Sequence, residues 1–397
     1  MNNKAFIFVV CGERKHIETL NFSLKYLKKF SNYPIWVITD LKRNEIEINH
    51  DNIINISTPF ELNNHQASIY LKTQLPFLLP DDVIYCYLDS DVIAVSREIN
   101  NIFSHFVPPV TFASDNKEVD LFSPYSVNCG CLEKHLSDHQ EFWNIVSHIV
   151  PNFDKDIVIK MPETRDLLNA INNINKKPFL NIIPLIKYVL YYLFGNKLIN
   201  KIKIKDNLYL DTSLKNWVLN EKIFYPNLTA YRKEIYLKSN KIFKWKRQSW
   251  INKEGKDIFK CKCSHLREEI RKTFSLHIPK NYIIWNGGVF IFNNQAKIFF
   301  KHWHENTMNI FKNSYWKIRD QATLLVTAFQ LNLQKHYNLP ETYNFLADFY
   351  DYSFTLSKND YDITIIKDNK KIKPYFLHIY HEFGNNNWDL WQKILSL

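Results

Sequence analysis

The first third of the chain alternates between short apolar runs and segments whose apolar residues have helical spacing. Ile17–Phe30 and Ala67–Leu79 have that spacing. The apolar runs around them are Phe6–Val10, Pro34–Thr39, Ile53–Ile56 and Val83–Leu88. Continuous apolar runs are typical of strands buried on both faces, and their alternation with helices indicates a parallel sheet. We therefore predict an α/β, Rossmann-like core whose ligands bind outside the carboxyl ends of the strands.

This alternation stops in the middle of the chain and resumes near the end. Residues 131–278 show helical spacing only in pieces, so we expect a largely helical insertion there. From Tyr282 a strand pattern returns, broken at Gly287 and Gly288, and two helices and the strand Tyr375–Tyr380 follow. We predict residues 1–130 and 279–397 to be the two halves of the core.

The strongest local signal is Tyr87-Leu-Asp-Ser-Asp-Val92, in which an apolar strand ends on two carboxylates. On extended backbone, side chains two residues apart lie on one face, so Asp89 and Asp91 can face the same cation. A divalent ion relieves the repulsion between two such carboxylates. The alternative is an ordinary solvated strand end.

A second signal is His381-Glu-Phe-Gly384, which follows the last predicted strand. A neutral imidazole there can complete a metal site begun by Asp89 and Asp91. Mixed carboxylate and imidazole ligands suit Mn²⁺ better than Mg²⁺. We expect His381 to be the third ligand, because its rival His378 shares the alternation of the strand.

The most apolar stretch of the chain is Phe179–Phe194, and the basic run Lys197–Lys205 follows it. The stretch is shorter than the ~20 apolar residues that span a bilayer, and Asn181, Pro184 and Lys187 interrupt it. An apolar helix with a basic run beside it is typical of a helix lying on an anionic membrane. A buried core helix with a solvated tail is the alternative.

The net charge of +11 favours anionic partners, but the basic residues are spread along the chain. No nucleic-acid-binding pattern accompanies the charge, so we expect no nucleic-acid partner. The chain begins directly with a strand and shows no export-signal pattern, which predicts a cytoplasmic protein with reduced cysteines. Cys129-Gly-Cys131 and Cys261-Lys-Cys263 are either free thiols or a zinc site of four thiolates.

Four blocks of the sequence, taken in order, resemble the retaining glycosyltransferases of family 8. That group includes glycogenin and bacterial lipopolysaccharide galactosyl- and glucosyltransferases. The blocks cover both ends of the chain and leave the middle unmatched. They are Tyr70-Leu-Lys-Thr-Gln-Leu75 with the Asp89-Ser-Asp91 strand end, Trp285-Asn-Gly-Gly-Val-Phe-Ile-Phe-Asn293, Arg319-Asp-Gln-Ala322, and His381-Glu-Phe-Gly384.

The resemblance implies a GT-A fold and a Mn²⁺ or Mg²⁺ ion that binds the diphosphate of a nucleotide sugar, expected to be a UDP-sugar. It makes Asp89, Asp91 and His381 the metal ligands, and residues 1–130 the half that binds the nucleotide sugar. Lys72 would approach the donor as a basic contact.

The same resemblance places the remaining site residues around the donor sugar. Asn286, Gly287 and Gly288 would line the sugar pocket. Asp320 would hydrogen-bond a sugar hydroxyl, and Gln321 would lie beside the anomeric carbon. The acceptor would be a glycan, a lipopolysaccharide or another lipid-linked surface polysaccharide, reached from the cytoplasm or from the inner face of the membrane.

Two positions depart from the family pattern. Asn387 stands where the family has a lysine, and no aromatic residue stands near Cys11–Lys15 to stack on uracil. Two alternatives therefore stay open. One is an inverting transferase with Asp348 or Asp351 as its base, and the other is a non-catalytic carbohydrate- or membrane-binding protein on the same fold.

Overall fold

The computed structural model describes residues 3–150, 182–194, 200–205, 208–219, 222–244, 249–317, 319–348, 353–356, 363–367 and 370–397. Their strands, in chain order, are β1 (Asn3–Val9), β2 (Ile35–Thr39), β3 (Ile53–Asn55), β4 (Val83–Leu88), β5 (Val92–Ala94), β6 (Val110–Glu118), β7 (Lys201–Lys205), β8 (Leu208–Asp211), β9 (Asn216–Leu219), β10 (Lys222–Pro226), β11 (Ile242–Lys244), β12 (Ser249–Ile251), β13 (Ile283–Phe292), β14 (Phe345–Leu346), β15 (Ser353–Leu356), β16 (Ile363–Lys367), β17 (Lys370–Ile372) and β18 (Phe376–His378).

The α-helices of the same residues are α1 (Arg14–Phe30), α2 (Asn64–Lys72), α3 (Leu75–Leu78), α4 (Val119–Ser126), α5 (Cys131–Ile149), α6 (Ile182–Phe194), α7 (Arg232–Ser239), α8 (His265–Phe274), α9 (Lys297–Ile310), α10 (Arg319–Gln330) and α11 (Asp389–Leu395). Short 3₁₀ helices lie at Leu41–Arg43, Arg97–His105, Leu228–Tyr231, Asn294–Ala296 and Glu341–Tyr343.

The central sheet has six strands in the order β3-β2-β1-β4-β13-β6. Strands β1, β2, β3 and β4 are parallel to one another, and β13 runs antiparallel to both β4 and β6. This mostly parallel sheet confirms the predicted α/β core. The two apolar runs on either side of Gly287 and Gly288 form one strand, β13, with a shift in register at the glycines.

Helices cover both faces of this sheet, and strand β1 shows how the sequence achieves it. Phe6 and Phe8 point to one face and share a buried cluster with Leu20 of α1. Ala5 and Ile7 point to the other face and share a cluster with residues of α2, α9 and α10. Because Ala5–Val9 is buried on both faces of the sheet, this part of the strand is apolar throughout. Each such large side chain contributes about 1.5–3 kcal/mol when fully buried.

The connections of the sheet reverse direction beside β1. The chain moves outward from β1 to β2 and β3, and then crosses back to place β4 on the other side of β1. A reversal of this kind opens a crevice outside the carboxyl ends of the two strands. Strand β4 ends at Leu88, directly before Asp89, so the sheet delivers the predicted carboxylates to this crevice.

The described residues of the middle of the chain contain both helices and strands. They include helices α5, α6, α7 and α8, a four-stranded antiparallel sheet of β7 to β10 and the pair β11–β12, and these strands were not part of the helical insertion that we expected. The run Lys201-Ile-Lys-Ile-Lys205 alternates with the period of a strand, and Ile202 is buried. We did not recognise this strand pattern in the sequence, because we interpreted the lysines as part of a basic run.

Within the described residues, no helix combines the length and the apolar character that crossing a membrane requires.

Candidate metal centre

Asp89 and Asp91 are held by a turn, not by extended backbone as we expected. The Asp89 N–H donates to the Gly288 carbonyl at 2.8 Å, and the Val92 N–H donates to the Asp89 carbonyl at 3.0 Å. The chain therefore folds back between β4 and β5. The side chains of Asp89 and Asp91 remain 28% and 25% exposed, so an ion can reach both carboxylates from solvent.

The histidine beside these carboxylates is His378. Strand β18 runs antiparallel to β5 and places His378 opposite Val92, and the Ile379 N–H donates to the Asp91 carbonyl at 3.1 Å. The Nε2 atom of His378 lies 3.2 Å from Oδ1 of Asp91. One ligand atom each from Asp89, Asp91 and His378 lies within 4.8 Å of the other two.

A buried amide fixes the orientation of the His378 ring. Nδ1 of His378 lies 2.9 Å from Oδ1 of Asn344, and both residues are buried. Because an amide oxygen only accepts hydrogen bonds, Nδ1 donates its proton to Asn344, and Nε2 is the ring nitrogen that faces the carboxylates and could bind a metal ion. A hydrogen-bonded second ring nitrogen is characteristic of histidines that bind metals.

The structure places our expected third ligand elsewhere. His381 lies three residues beyond His378 and is exposed. Its backbone N–H donates to the Asp348 carboxylate. It does not join Asp89 and Asp91 in the cluster. The pairing of β18 with β5 decides this outcome, because it brings the end of the strand, not the following loop, beside Asp91. We therefore replace His381 by His378 in the ligand set.

Lys72 forms a charged bridge across the site. A capping box between Asn63 and Gln66 starts helix α2, and Lys72 is the last residue of that helix. Its Nζ lies 3.2 Å from Oδ1 of Asp89 and 3.1 Å from Oδ2 of Asp320. Burial alone would lower the pKa of Lys72, but the two carboxylates outweigh it and raise this pKa to about 12. Lys72 thus carries a permanent charge and links the two halves of the core.

Asp320 lies in the first turn of α10, where the helix dipole favours a carboxylate. Burial would raise the pKa of Asp320, but Lys72 lowers it below its ordinary value. Lys72 therefore favours the ionised form of Asp320. On the other side of Asp89, the Tyr87 hydroxyl donates to Oδ1 at 2.5 Å, and Nζ of Lys72 lies 5.1 Å from the centre of the Tyr87 ring.

Strand β13 bulges toward the metal ligands at Asn286, Gly287 and Gly288. The pairing with β6 shifts between Asn286 and Phe290, and Oδ1 of Asn286 accepts the Gly288 N–H at 2.8 Å. A Cβ atom on Gly288 would lie 2.3 Å from Cε1 of His378 and 3.0 Å from Oδ2 of Asp89. Only glycine fits there, whereas a Cβ on Gly287 would be 3.4 Å from its nearest neighbour, Nζ of Lys72.

A buried aspartate, Asp115, joins Asn286 and Gln321. Nδ2 of Asn286 donates to Oδ1 of Asp115 at 3.0 Å, and the Gln321 side chain also hydrogen-bonds Asp115. Burial raises the pKa of Asp115, against the opposing effects of Lys117 and these hydrogen bonds. Asp115 follows the apolar part of β6 as Asp89 follows β4, so the same sequence signal could have found it. Asn344 gives no comparable signal.

The structure brings together most of the residues that we predicted for the site. Each of the following residues contacts another residue of the site, either directly or through one shared neighbour: Lys72, Asp89, Asp91, Asn286, Gly287, Gly288, Asp320 and Gln321. His378, Asn344 and Asp115 complete the set. Two half-buried carboxylates and an imidazole beside a buried ammonium can hold a divalent ion and an anion bound to it.

No protein-family model matches this chain, and a comparison with curated protein sequences finds no match either.

Proposed function

We propose that this protein is a metal-dependent glycosyltransferase of the GT-A kind that takes a hexose from a nucleotide diphosphate sugar. The observation that supports this proposal best is the convergence of Asp89, Asp91 and His378 outside β4, at the reversal of the sheet connections. Ligands of such sheets bind in this crevice, and a metal ion there would neutralise the negative charge of a diphosphate as it leaves. Asp89, Asp91 and His378 would hold Mn²⁺, or Mg²⁺ in its place.

The protein's own groups then act on the sugar. Asp320 is held ionised by Lys72, and it can accept a hydrogen bond from a sugar hydroxyl. Gln321 hydrogen-bonds Asp115, which also binds Asn286 of the β13 bulge, where the proposed sugar pocket would lie. In the proposed reaction this amide stabilises positive charge that develops at the anomeric carbon.

We propose a retaining reaction rather than an inverting one. An inverting transferase needs a carboxylate as its base. Asp348 accepts the backbone N–H groups of His381 and Glu382 through Oδ2, and its Oδ1 is buried without a hydrogen-bond partner among the described residues, whereas Asp351 lies outside those residues. In a retaining reaction the departing phosphate itself takes the proton of the acceptor, so no separate base is required.

Lys117 is our candidate for the cation that the family places at the position of Asn387. Asn387 is exposed, and its N–H donates to Oδ1 of Asn385 within a polar loop. Lys117 is close enough to Asp115 and Asp348 for both carboxylates to raise its pKa, although burial has the larger effect and lowers it. Lys117 therefore sits between the sugar side of the site and the loop that carries His381.

The decisive experiment is a screen of nucleotide sugars with and without Mn²⁺, read by thermal unfolding and by sugar release. Ligand at 100 times its Kd stabilises a protein by about 2.7 kcal/mol, so the donor that fits raises Tm by several degrees. We expect stabilisation only when Mn²⁺ is present. If no nucleotide sugar raises Tm or is hydrolysed in the presence of Mn²⁺, the proposal fails. The anomeric configuration of the product distinguishes retention from inversion.

We further propose that the enzyme meets a lipid-linked acceptor at an anionic membrane through helix α6. Ile183, Ile186, Val189 and Leu193 of this helix are exposed, whereas Tyr191 is buried. The side chain of Leu185 lies outside the described residues. Strand β7 contacts α6, and its residues Lys201 and Lys203 are exposed. An apolar helix face beside lysines is the composition that anionic lipid surfaces bind.

Co-sedimentation with liposomes tests this surface. We expect binding that grows with the content of anionic lipid and falls with salt. Substitution of Lys201, Lys203 and Lys205 by glutamate should weaken it roughly a hundredfold, since each lysine contributes about 1 kcal/mol near such a surface. The control replaces three exposed lysines of the core, Lys25, Lys301 and Lys312, by glutamate. Equal losses in both variants, or binding indifferent to lipid charge, would contradict the proposal.

A further inference from the structure

A second cluster of metal-binding side chains lies where the middle of the chain joins the core. Its members are Cys129, Cys131, Cys263 and His265, and one ligand atom from each lies within 4.8 Å of the others. Cys131 is the first residue of α5, and His265 is the first residue of α8. Gly130 separates the first two cysteines with a φ of 71°, in the left-handed region, and this turn brings their short spacing to one place.

The spacing of these atoms matches a tetrahedral zinc site. Sγ of Cys129 lies 3.8 Å from Sγ of Cys263, and Sγ of Cys131 lies 3.6 Å from Nδ1 of His265. With bonds of about 2.3 Å to sulfur and about 2.0–2.1 Å to nitrogen, a tetrahedron has edges of about 3.8 Å between sulfurs and about 3.6 Å between sulfur and nitrogen. We propose that this cluster binds a structural Zn²⁺ ion through three thiolates and one imidazole.

Neighbouring groups support the thiolate form of Cys263. The Ser123 hydroxyl lies 3.1 Å from its sulfur, and the His265 backbone N–H also hydrogen-bonds it. Such contacts around the ligands hold a metal site in shape.

The fourth cysteine of the two sequence pairs does not belong to the ligand set. Sγ of Cys261 points to the carbonyl oxygen of Cys131 at 3.5 Å, and Cys261 is buried. His265 takes its place, which sets this site apart from the four-thiolate site that the sequence suggested. Cys261 is thus a natural control.

The zinc would fasten the two ends of the middle segment to each other. Cys129 and Cys263 are 134 positions apart in the chain, yet their sulfurs are nearly in contact. A hydrogen bond also connects the two ends at this junction, because the Leu266 N–H donates to the Ser123 hydroxyl at 2.9 Å. Since the ligands come together only in the folded chain, zinc binding stabilises the folded state.

Cobalt substitution tests the proposal without relying on activity. The reduced, metal-free protein is titrated with Co²⁺, whose bonds to thiolates give charge-transfer bands that carboxylate or imidazole ligands do not produce. We expect a single Co²⁺ ion per chain with these bands, and their loss when Zn²⁺ is added, because Zn²⁺ binds such sites more tightly than Co²⁺. Cys129→Ser and Cys263→Ser should abolish the bands, whereas Cys261→Ser should keep them.

A further variant and an analysis of the wild-type protein test the proposal even if the serine variants fail to fold. His265→Cys preserves four ligands and should retain the bands, and elemental analysis of the purified wild-type protein should find zinc in a ratio near one per chain. The proposal is overturned if the reduced wild-type protein shows no thiolate bands with Co²⁺. It is equally overturned if Cys129 and Cys263 prove to form a disulfide in zinc-free protein, or if Cys263→Ser retains the bands.

Discussion

The Asp91→Asn substitution is expected to lower Mn²⁺-dependent turnover more than a hundredfold while the protein stays folded. Even residues that only support a metal ligand cost 10–100-fold when removed, and Asp91 is assigned as a direct ligand. Asparagine keeps the size of the side chain but loses its charge. The free energy of unfolding should change by about 1 kcal/mol or less, because relief of the repulsion with Asp89 offsets the weaker contact to His378.

The measurement combines sugar transfer or hydrolysis with a titration of Mn²⁺ in the presence of nucleotide. Asp82→Asn is the matched control, since Asp82 is exposed in the turn that precedes the same strand, β4. It should behave as the wild type does. Unchanged turnover and an unchanged response to Mn²⁺ in Asp91→Asn would remove the metal centre from the proposed mechanism.

Alanine at His378 and at His381 should have very different effects, although only three residues separate them. His378→Ala should weaken Mn²⁺-dependent nucleotide binding at least tenfold. It should also cost about 2–3 kcal/mol of stability, because it leaves a cavity and an unpaired Asn344 in the interior. His381→Ala alters an exposed side chain and should change stability by less than about 0.5 kcal/mol.

A further variant separates metal binding from folding at this position. His378→Gln keeps a polar side chain toward Asn344, so it should recover part of the lost stability without recovering Mn²⁺ binding. Thermal unfolding and Mn²⁺ titration on the same samples give both quantities. A larger loss of Mn²⁺ binding in His381→Ala than in His378→Ala would restore the ligand set that we first expected from the sequence.

The sequence predicted the parts of the site that depend on one segment at a time. A strand buried on both faces is apolar throughout, so β1, β2 and β4 were visible, and Asp89 and Asp91 stood out at the end of β4. Asp89 and Asp91 lie two positions apart directly after β4, and this spacing indicates which side chains are presented at the end of that strand. These features rest on local periodicity, which a single sequence contains.

The features that sequence reasoning missed depend on how distant segments pair. Whether His378 or His381 reaches Asp91 is decided by the antiparallel register of β18 on β5, and no local pattern encodes that register. The role of Asn344 depends on its contact with His378 of β18, which lies 34 positions further along the chain. His265 escaped notice because its partners Cys129 and Cys131 lie at the far end of the middle segment.

The junction at Cys129 and Cys263 also bears on how such a protein can change over evolutionary time. The chain leaves the core and returns to it at nearly one point, and the segment between has its own apolar centre around Phe142, Trp217 and Trp250. A segment with adjacent ends and its own centre can be lengthened, trimmed or exchanged while β5 and β18, which place His378 beside Asp91, stay in register. Mutations in the segment and mutations in the core can then accumulate separately, so selection can act on each part in turn.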